Sequence, residues 1–407
     1  MSLMKSFARS PVGSALRATV LALAACAAAT AQAQWNQDGY DAAKSYANTA
    51  ESTLTRQNAG QLAQKWQMMI GQFYASSATQ ASGRLFVCSN LHGVSAQAPD
   101  TGSMLWSQPD SGVGDCGNPA LVGTTAYLVS SSFNSPYRNV LTAVDQPSGN
   151  VLWAADLPAG SAYLNLGFGP AVQGNRLYVN TGRGAVMSVD TADGHVVWQA
   201  STGGDAVMNN DVAVANGRVF TTTWHACCEN NLRQVFAFDA ATGASLWASD
   251  VDSSNMQYPA LALDKRVIVG SDSGVVRAFA ATSGKLLWSR PLTGYISSPL
   301  SGQGKTVYAV SGNRQVQALD ARTGEVLWTR VLSGTHQVAS NVAWANGALY
   351  MTTQDFNTAK QLLVLNTRSG KPVAQVPLSI RGSFTKLTVI DGRVYLSSEG
   401  QLTALGL

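Results

Sequence analysis

Charge is scarce in this 407-residue chain: 12% of its residues are Asp, Glu, Lys or Arg, and the formal net charge is +4. Three of the cations, Lys5, Arg9 and Arg17, lie in the first 33 residues, so the remainder carries +1. A surface this close to neutral argues against a nucleic-acid partner, which needs a basic patch or stripe. Helical periodicity is missing too. Apolar residues alternate in short runs between glycine turns, which excludes a helical repeat. Beyond residue 33 no stretch is apolar for long enough to cross a bilayer as a helix. Histidine and cysteine are few, four and five residues. Their spacings match no zinc motif, and there is no C-x-x-C-H, so no attached haem is encoded.

What the chain has in abundance is one phrase, an apolar alternating strand followed by a Gly turn and a Trp. The copies are VSAQAPDTGSMLW, VLTAVDQPSGNVLW, AVMSVDTADGHVVW, QVFAFDAATGASLW, VVRAFAATSGKLLW and QVQALDARTGEVLW, ending at Trp106, Trp153, Trp198, Trp247, Trp288 and Trp328. Counting from Trp66, the tryptophans are spaced by 40, 47, 45, 49, 41 and 40 residues. In the unit ending at Trp328, SSPLSG, KTVYAVS, QVQALD and EVLWTRV read as four strands, inner to outer. Four short strands per unit of this length describe a propeller blade.

A seventh copy, LLVLNTRSGKPVAQ, carries Gln375 where the Trp should be. An eighth is split: the chain ends in QLTALGL, a third strand without its fourth, while LAQKWQM around Trp66 is a fourth strand without the first three. Pairing the two pieces closes the ring and leaves no blade with an open edge. The expected fold is therefore all-β, an eight-bladed β-propeller of four-stranded antiparallel blades, closed by its N- and C-terminal strands. The expected divisions are a signal peptide over 1–33, an N-terminal segment over 34–60 and the propeller over 61–407. In each turn the Asp can accept amide hydrogen bonds and the Gly can take a positive φ. Each Trp can lay its face on a blade seam and donate its N–H to a carbonyl, a structural role.

The first 33 residues combine early cations, the apolar run ATVLALAACAAATA and a closing AQA, the pattern of a secretory signal cleaved before Gln34. LAAC at 23–26 also fits a lipobox, in which Cys26 would be acylated and anchor the chain. Either start exports the protein, to the periplasm or the outer-membrane periphery, or to the exterior. Four cysteines remain, an even number. On the blade template Cys88 ends the second strand of the first blade, and Cys116 sits in the link to the next blade on the same face. These two are expected to form a disulfide. Cys227 and Cys228 are adjacent, and a vicinal disulfide there would be either a rigid loop or a strained element beside a binding site. A metal site using His92 and His225 is the rival reading. His195 and His336 are expected to be solvated.

Aligning the starts of the inner strands brings Ser77, Asn118, Gly169, Asn210, Tyr258, Ser298, Ser340 and Thr385 to the channel mouth, with Asp211, Asn341 and Lys386 one step further in. This polar ring is read as a water-lined channel or as a small-molecule site. It contains no recognisable catalytic set and no metal-ligand set.

The repeats, with WNQDGYDAAKSYAN and LTRQNAGQLAQKW ahead of them, resemble the pyrroloquinoline-quinone (PQQ) repeat superfamily of eight-bladed propellers. The resemblance runs from Trp35 to Leu407. That superfamily includes the quinoprotein dehydrogenases and a non-catalytic lipoprotein of the outer-membrane β-barrel assembly machine. Likeness to the lipoprotein implies a monomeric scaffolding module without a cofactor, binding envelope protein partners. Its Leu/Arg-rich contact loop has no counterpart here, where LNLGFGPAV at 164–172 stands instead. Likeness to the dehydrogenases implies the alternative, PQQ with calcium and oxidation of alcohols or sugars. Those enzymes keep a vicinal cysteine pair beside the cofactor, but their long insertions and calcium ligands are not found in this chain.

Overall fold

The middle strands of each repeat are apolar on both faces, and only a sheet packed between two others can bury both. In a computed structural model the chain is described over residues 34–407, except 73, 109–115, 133–137, 158–168, 182–183, 203–210, 224–233, 252–254, 356–357, 381 and 383. Each repeat forms an antiparallel sheet whose strands pair in sequence order. In blade 6 these are Ser301–Gln303, Thr306–Ser311, Gln315–Asp320 and Val326–Val331. The second and third strands are buried almost throughout, whereas the fourth alternates exposed and half-buried residues as an outer edge should. The first strands of successive blades lie beside one another around the axis. Blades 1 to 8 begin at Thr79, Ala120, Ala171, Ala213, Leu261, Ser301, Ala343 and Lys386.

One contact joins seven of the eight seams. The indole N–H of Trp66, Trp106, Trp153, Trp198, Trp247, Trp288 and Trp328 donates, at 2.8–3.1 Å, to a carbonyl in the turn between the third and fourth strands of the next blade. The same turn presents a glycine at positive φ, from Gly102 through Gly370, against the ring. A Cβ on any of these glycines would fall 2.6–2.7 Å from an indole carbon. Glycine is thus required twice over, by its φ and by the closeness of the indole. The turn aspartate acts as read from the sequence. Asp239 accepts from the Ala241 and Thr242 amides and from the Thr242 hydroxyl, and the Thr242 hydrogen bonds hold it below the ordinary carboxylate value.

Ring closure follows the expectation. Ala63–Met69 pairs antiparallel with Gln401–Gly406 and completes blade 8 as its outer strand. The seventh copy needs a correction of register. Trp328 faces Ala318 after a bulge, and the residue in the same position of blade 7, facing Val364 after its own bulge, is Ala374 and not Gln375. The loss of Trp has a physical reason. Blade 8 has chain ends where every other blade has its third-to-fourth-strand turn, so there is no glycine or turn carbonyl on which an indole can dock. Leu54, Ala59 and Leu62 pack with Ala374 instead.

The N-terminal segment adds an element that the blade template does not contain. Between residues 35 and 48 it meets the innermost strand of all eight blades in order, running around the axis. Gln80 exchanges main-chain hydrogen bonds with Trp35; Leu121 donates to the Asn36 carbonyl, Val214 to Ala42, Ala262 to Ala43, Gly302 to Ser45 and Trp344 to Tyr46. Blade 3 is met by the Gln37 side chain, which binds both main-chain groups of Val172, and blade 8 by the Asn48 amide at the Val389 carbonyl. These eight residues hold the same place in their strands, so the segment pairs an edge the ring would otherwise leave bare.

Two outcomes are expected from this packing. Trp288→Ala should cost about 3–5 kcal/mol of unfolding free energy, read from chemical denaturation. Ala374→Trp should destabilise rather than repair the ring, because Leu54, Ala59 and Leu62 already occupy the seam; a rise in stability would show the space to be open.

Candidate functional site

The channel mouth is built from residues preceding the inner strands. Three places before each residue that meets the N-terminal segment stand Ser77, Asn118, Gly169, Asp211, Pro259, Pro299, Asn341 and Lys386. Tyr258, Ser298, Ser340 and Thr385 lie one residue earlier. Asn210 lies outside the described residues, as do Cys26, His225, Cys227 and Cys228.

These polar side chains are engaged with one another and with the N-terminal segment. Asp211, 4% exposed, accepts from the Lys44 ammonium at 2.6 Å and from the Gly169 amide at 3.0 Å. Lys44 is 1% exposed and also donates to the Asp38 carbonyl at 3.2 Å. The Asp38 carboxylate accepts from the Tyr46 and Ser77 hydroxyls, each at 3.0 Å. The Ser77 amide donates to the Asn118 side chain at 2.7 Å. Asn341 holds Leu387 of the next blade by both main-chain groups at 2.8 Å. The Ser340 and Ser298 hydroxyls donate to main-chain carbonyls one residue on. Thr385 donates its amide to the Ala339 carbonyl, which ties blade 8 to the link before blade 7. Lys386 donates to the Tyr74 hydroxyl at 3.0 Å and lies over its ring.

Burial sets the electrostatics. It pushes Asp211 up to about 7, aided by the Asp38 charge and opposed by Lys44. It also raises Asp41, against hydrogen bonds from Ser45, and lifts Tyr258 to about 12. Tyr46 rises well above its ordinary value, first through burial and then through Asp38 and Asp211. An ion pair this deep is costly to strip of either partner, since the one left would be an uncompensated buried charge.

Asp38, Lys44 and Tyr46 were not singled out by the sequence pattern, although they form half of this cluster. The available signal was compositional: WNQDGYDAAKSYAN packs two Asp, a Lys and three aromatics into a stretch without strand alternation. Charged residues in a nearly uncharged chain, ahead of the first repeat, mark such a segment as internal.

Cys88 and Cys116 form the expected disulfide, with Cα atoms 5.9 Å apart and both residues fully buried between blades 1 and 2. His92 bonds through its main chain to Ser89, and His195 sits exposed in a turn against Asp193. Among the described residues no three His, Cys, Asp or Glu side chains converge as a metal site.

Comparison with known proteins agrees with the repeat and its closure. The family model described as outer membrane protein assembly factor BamB matches residues 137–257 and 231–406. Tetrathionate hydrolase of Acidithiobacillus ferrooxidans is 23% identical over 338 residues, covering 73% of this chain and 65% of that protein. The outer membrane protein assembly factor BamB of Yersinia pestis is 27% identical over 204 residues, covering 46% of this chain and 48% of that protein. The chain thus spans less than two thirds of either relative. Among solved structures, BamB of Moraxella catarrhalis aligns at TM-score 0.62 and 20% identity, over 85% of this chain and 100% of that one. Quinohemoprotein alcohol dehydrogenase of Comamonas testosteroni aligns at TM-score 0.72 and 13% identity, over 92% and 80%. At these identities the likeness is one of fold.

Two measurements test the site. The folded Asp211 carboxyl keeps its proton up to about 7, whereas an unfolded one releases it near 3.8, so folding takes up a proton between those values. The contribution of Asp211 to stability should therefore fall as pH rises from about 4 to 7, and Asp211→Asn should flatten that slope in urea melts. Separately, Cys88→Ser opens a 28-residue loop. The loss expected from chain entropy is about 3–4 kcal/mol, and an unchanged melt would show that the disulfide does not constrain the chain.

Proposed function

We propose that this chain, which belongs to the family described as outer membrane protein assembly factor BamB, is an exported propeller that binds and holds other proteins of the bacterial envelope without catalysing a reaction. The observation that carries the reading is the closed channel mouth. In the described residues its polar groups bind one another and the chain's own N-terminal segment. The outer faces of the blades are then the surface left for a partner. A polypeptide suits so broad and weakly charged a surface, since an interface needs area and packing rather than a deep pocket. The N-terminal pattern supports export, with a mature start at Gln34 or an acylated start at Cys26.

The adjacent Cys227 and Cys228, with the dehydrogenase likeness, favour a second reading as a PQQ- and calcium-dependent oxidoreductase. The described mouth does not fit that cofactor. PQQ carries three carboxylates, and here the buried Lys44 already faces Asp38, Asp41 and Asp211, so a further trianion would meet net negative charge. Lys386 is engaged with Tyr74.

Affinity capture with the full chain from cross-linked envelope extracts should return a reproducible outer-membrane protein partner, and intact-mass measurement should identify the mature start. Reproducible PQQ-dependent oxidation of alcohols or sugars by the purified chain would overturn the proposal in favour of the enzyme.

A further inference from the structure

In the seam between blades 6 and 7, on the side of Trp328 away from its docking turn, is a narrow cleft of about 270 Å³ counted to its open mouth. Its polar lining comes from three separate elements. Arg330 is on the outer strand of blade 6, His336 on the link, and Thr353 on the second strand of blade 7. The short strand Gln337–Val338 pairs with Thr353 and Gln354 and so ties the link over the cleft. Leu332, Leu363 and Pro372 supply apolar walls.

Three buried polar atoms here have no hydrogen-bond partner: Arg330 Nε, His336 Nδ1 and Thr353 Oγ1, the last on a residue 1% exposed. Such groups are costly to leave unsatisfied. Blade 5 shows what this position ordinarily does. Arg290 also lies two residues after its docking Trp, and its Nε donates at 2.6 Å to the Gly324 carbonyl of the next blade's turn. Arg330 has the same opportunity at Gly370 but makes no such bond. The nearby carboxylate, Asp355, accepts from the Thr335 hydroxyl.

We propose that this cleft is a binding site for a small oxyanion of the sulfate or phosphate type, held by Arg330, His336 and Thr353. Arginine and threonine offer donors to anionic oxygens, and the guanidinium supplies the charge. The narrowness of the cleft restricts the ligand to a few heavy atoms. Donors arriving from three elements suit a tetrahedral group better than a flat carboxylate.

The test is isothermal titration of the full mature chain with sulfate, phosphate and acetate at fixed ionic strength. Sulfate or phosphate should bind saturably and acetate at least tenfold more weakly. Arg330→Gln should weaken binding at least tenfold, whereas Arg290→Gln, which removes the same charge one blade away, should leave it unchanged. If Arg330→Gln does not fold, crystals of the unaltered chain soaked in selenate decide the matter through an anomalous peak between Arg330 and His336. Absence of saturable binding, equal loss in both variants, a preference for acetate, or an ordered water in place of selenate would each overturn the proposal.

Discussion

A ring of sheets meeting at an axis has one edge strand per blade pointing inward, and every such strand carries main-chain donors and acceptors that must find partners. This requirement organises the molecule. Residues 35–48 answer it in turn for each of the eight blades, with main-chain bonds where the segment can run alongside and with Gln37 and Asn48 where it cannot. The buried charges follow from the same requirement. A polar segment drawn into the interior brings its own Asp38 and Lys44, and these are tolerable there only because Asp211, Ser77 and Tyr46 meet them.

The seams obey a second, local rule whose single exception is informative. An indole needs both a face to lie on and a carbonyl to bind, and the glycine turn of the following blade supplies the two together. Where the chain ends interrupt that turn, the indole has neither. Alanine at position 374 and the helical turn Ala59–Gln61 beside it take its place. The degraded seventh repeat and the position of the termini are thus one fact, seen once in the sequence and once in space.

Fold and closure could be read from the chain because they rest on local, repeated chemistry: alternation, glycine turns and a periodic Trp. The Cys88–Cys116 pair was legible for the same reason, since the template fixes which face each residue occupies. The misplacement of the missing Trp at Gln375 came from aligning by sequence length across Lys371 and Pro372, where counting from Gly370 gives Ala374. The channel mouth was legible only in part. Ser77, Asn118 and Asp211 follow from the template, but Asp38, Lys44 and Tyr46 belong to a segment with no period, whose path around the axis depends on partners up to 341 residues away. No local pattern encodes such contacts.

The circular path of the N-terminal segment also orders events in time. The residues made first have partners in every blade, and the last of these, near Val389, are made almost at the end of the chain. Blades can begin to stack as they emerge, but the segment at the axis must wait, its buried Lys44 without Asp211 and its Trp35 without a strand to pair. Loop closure over such distances is slow and delays the gain from burial. During synthesis the molecule therefore passes through a long interval in which its centre is open, and it becomes a closed ring only when the final strand arrives.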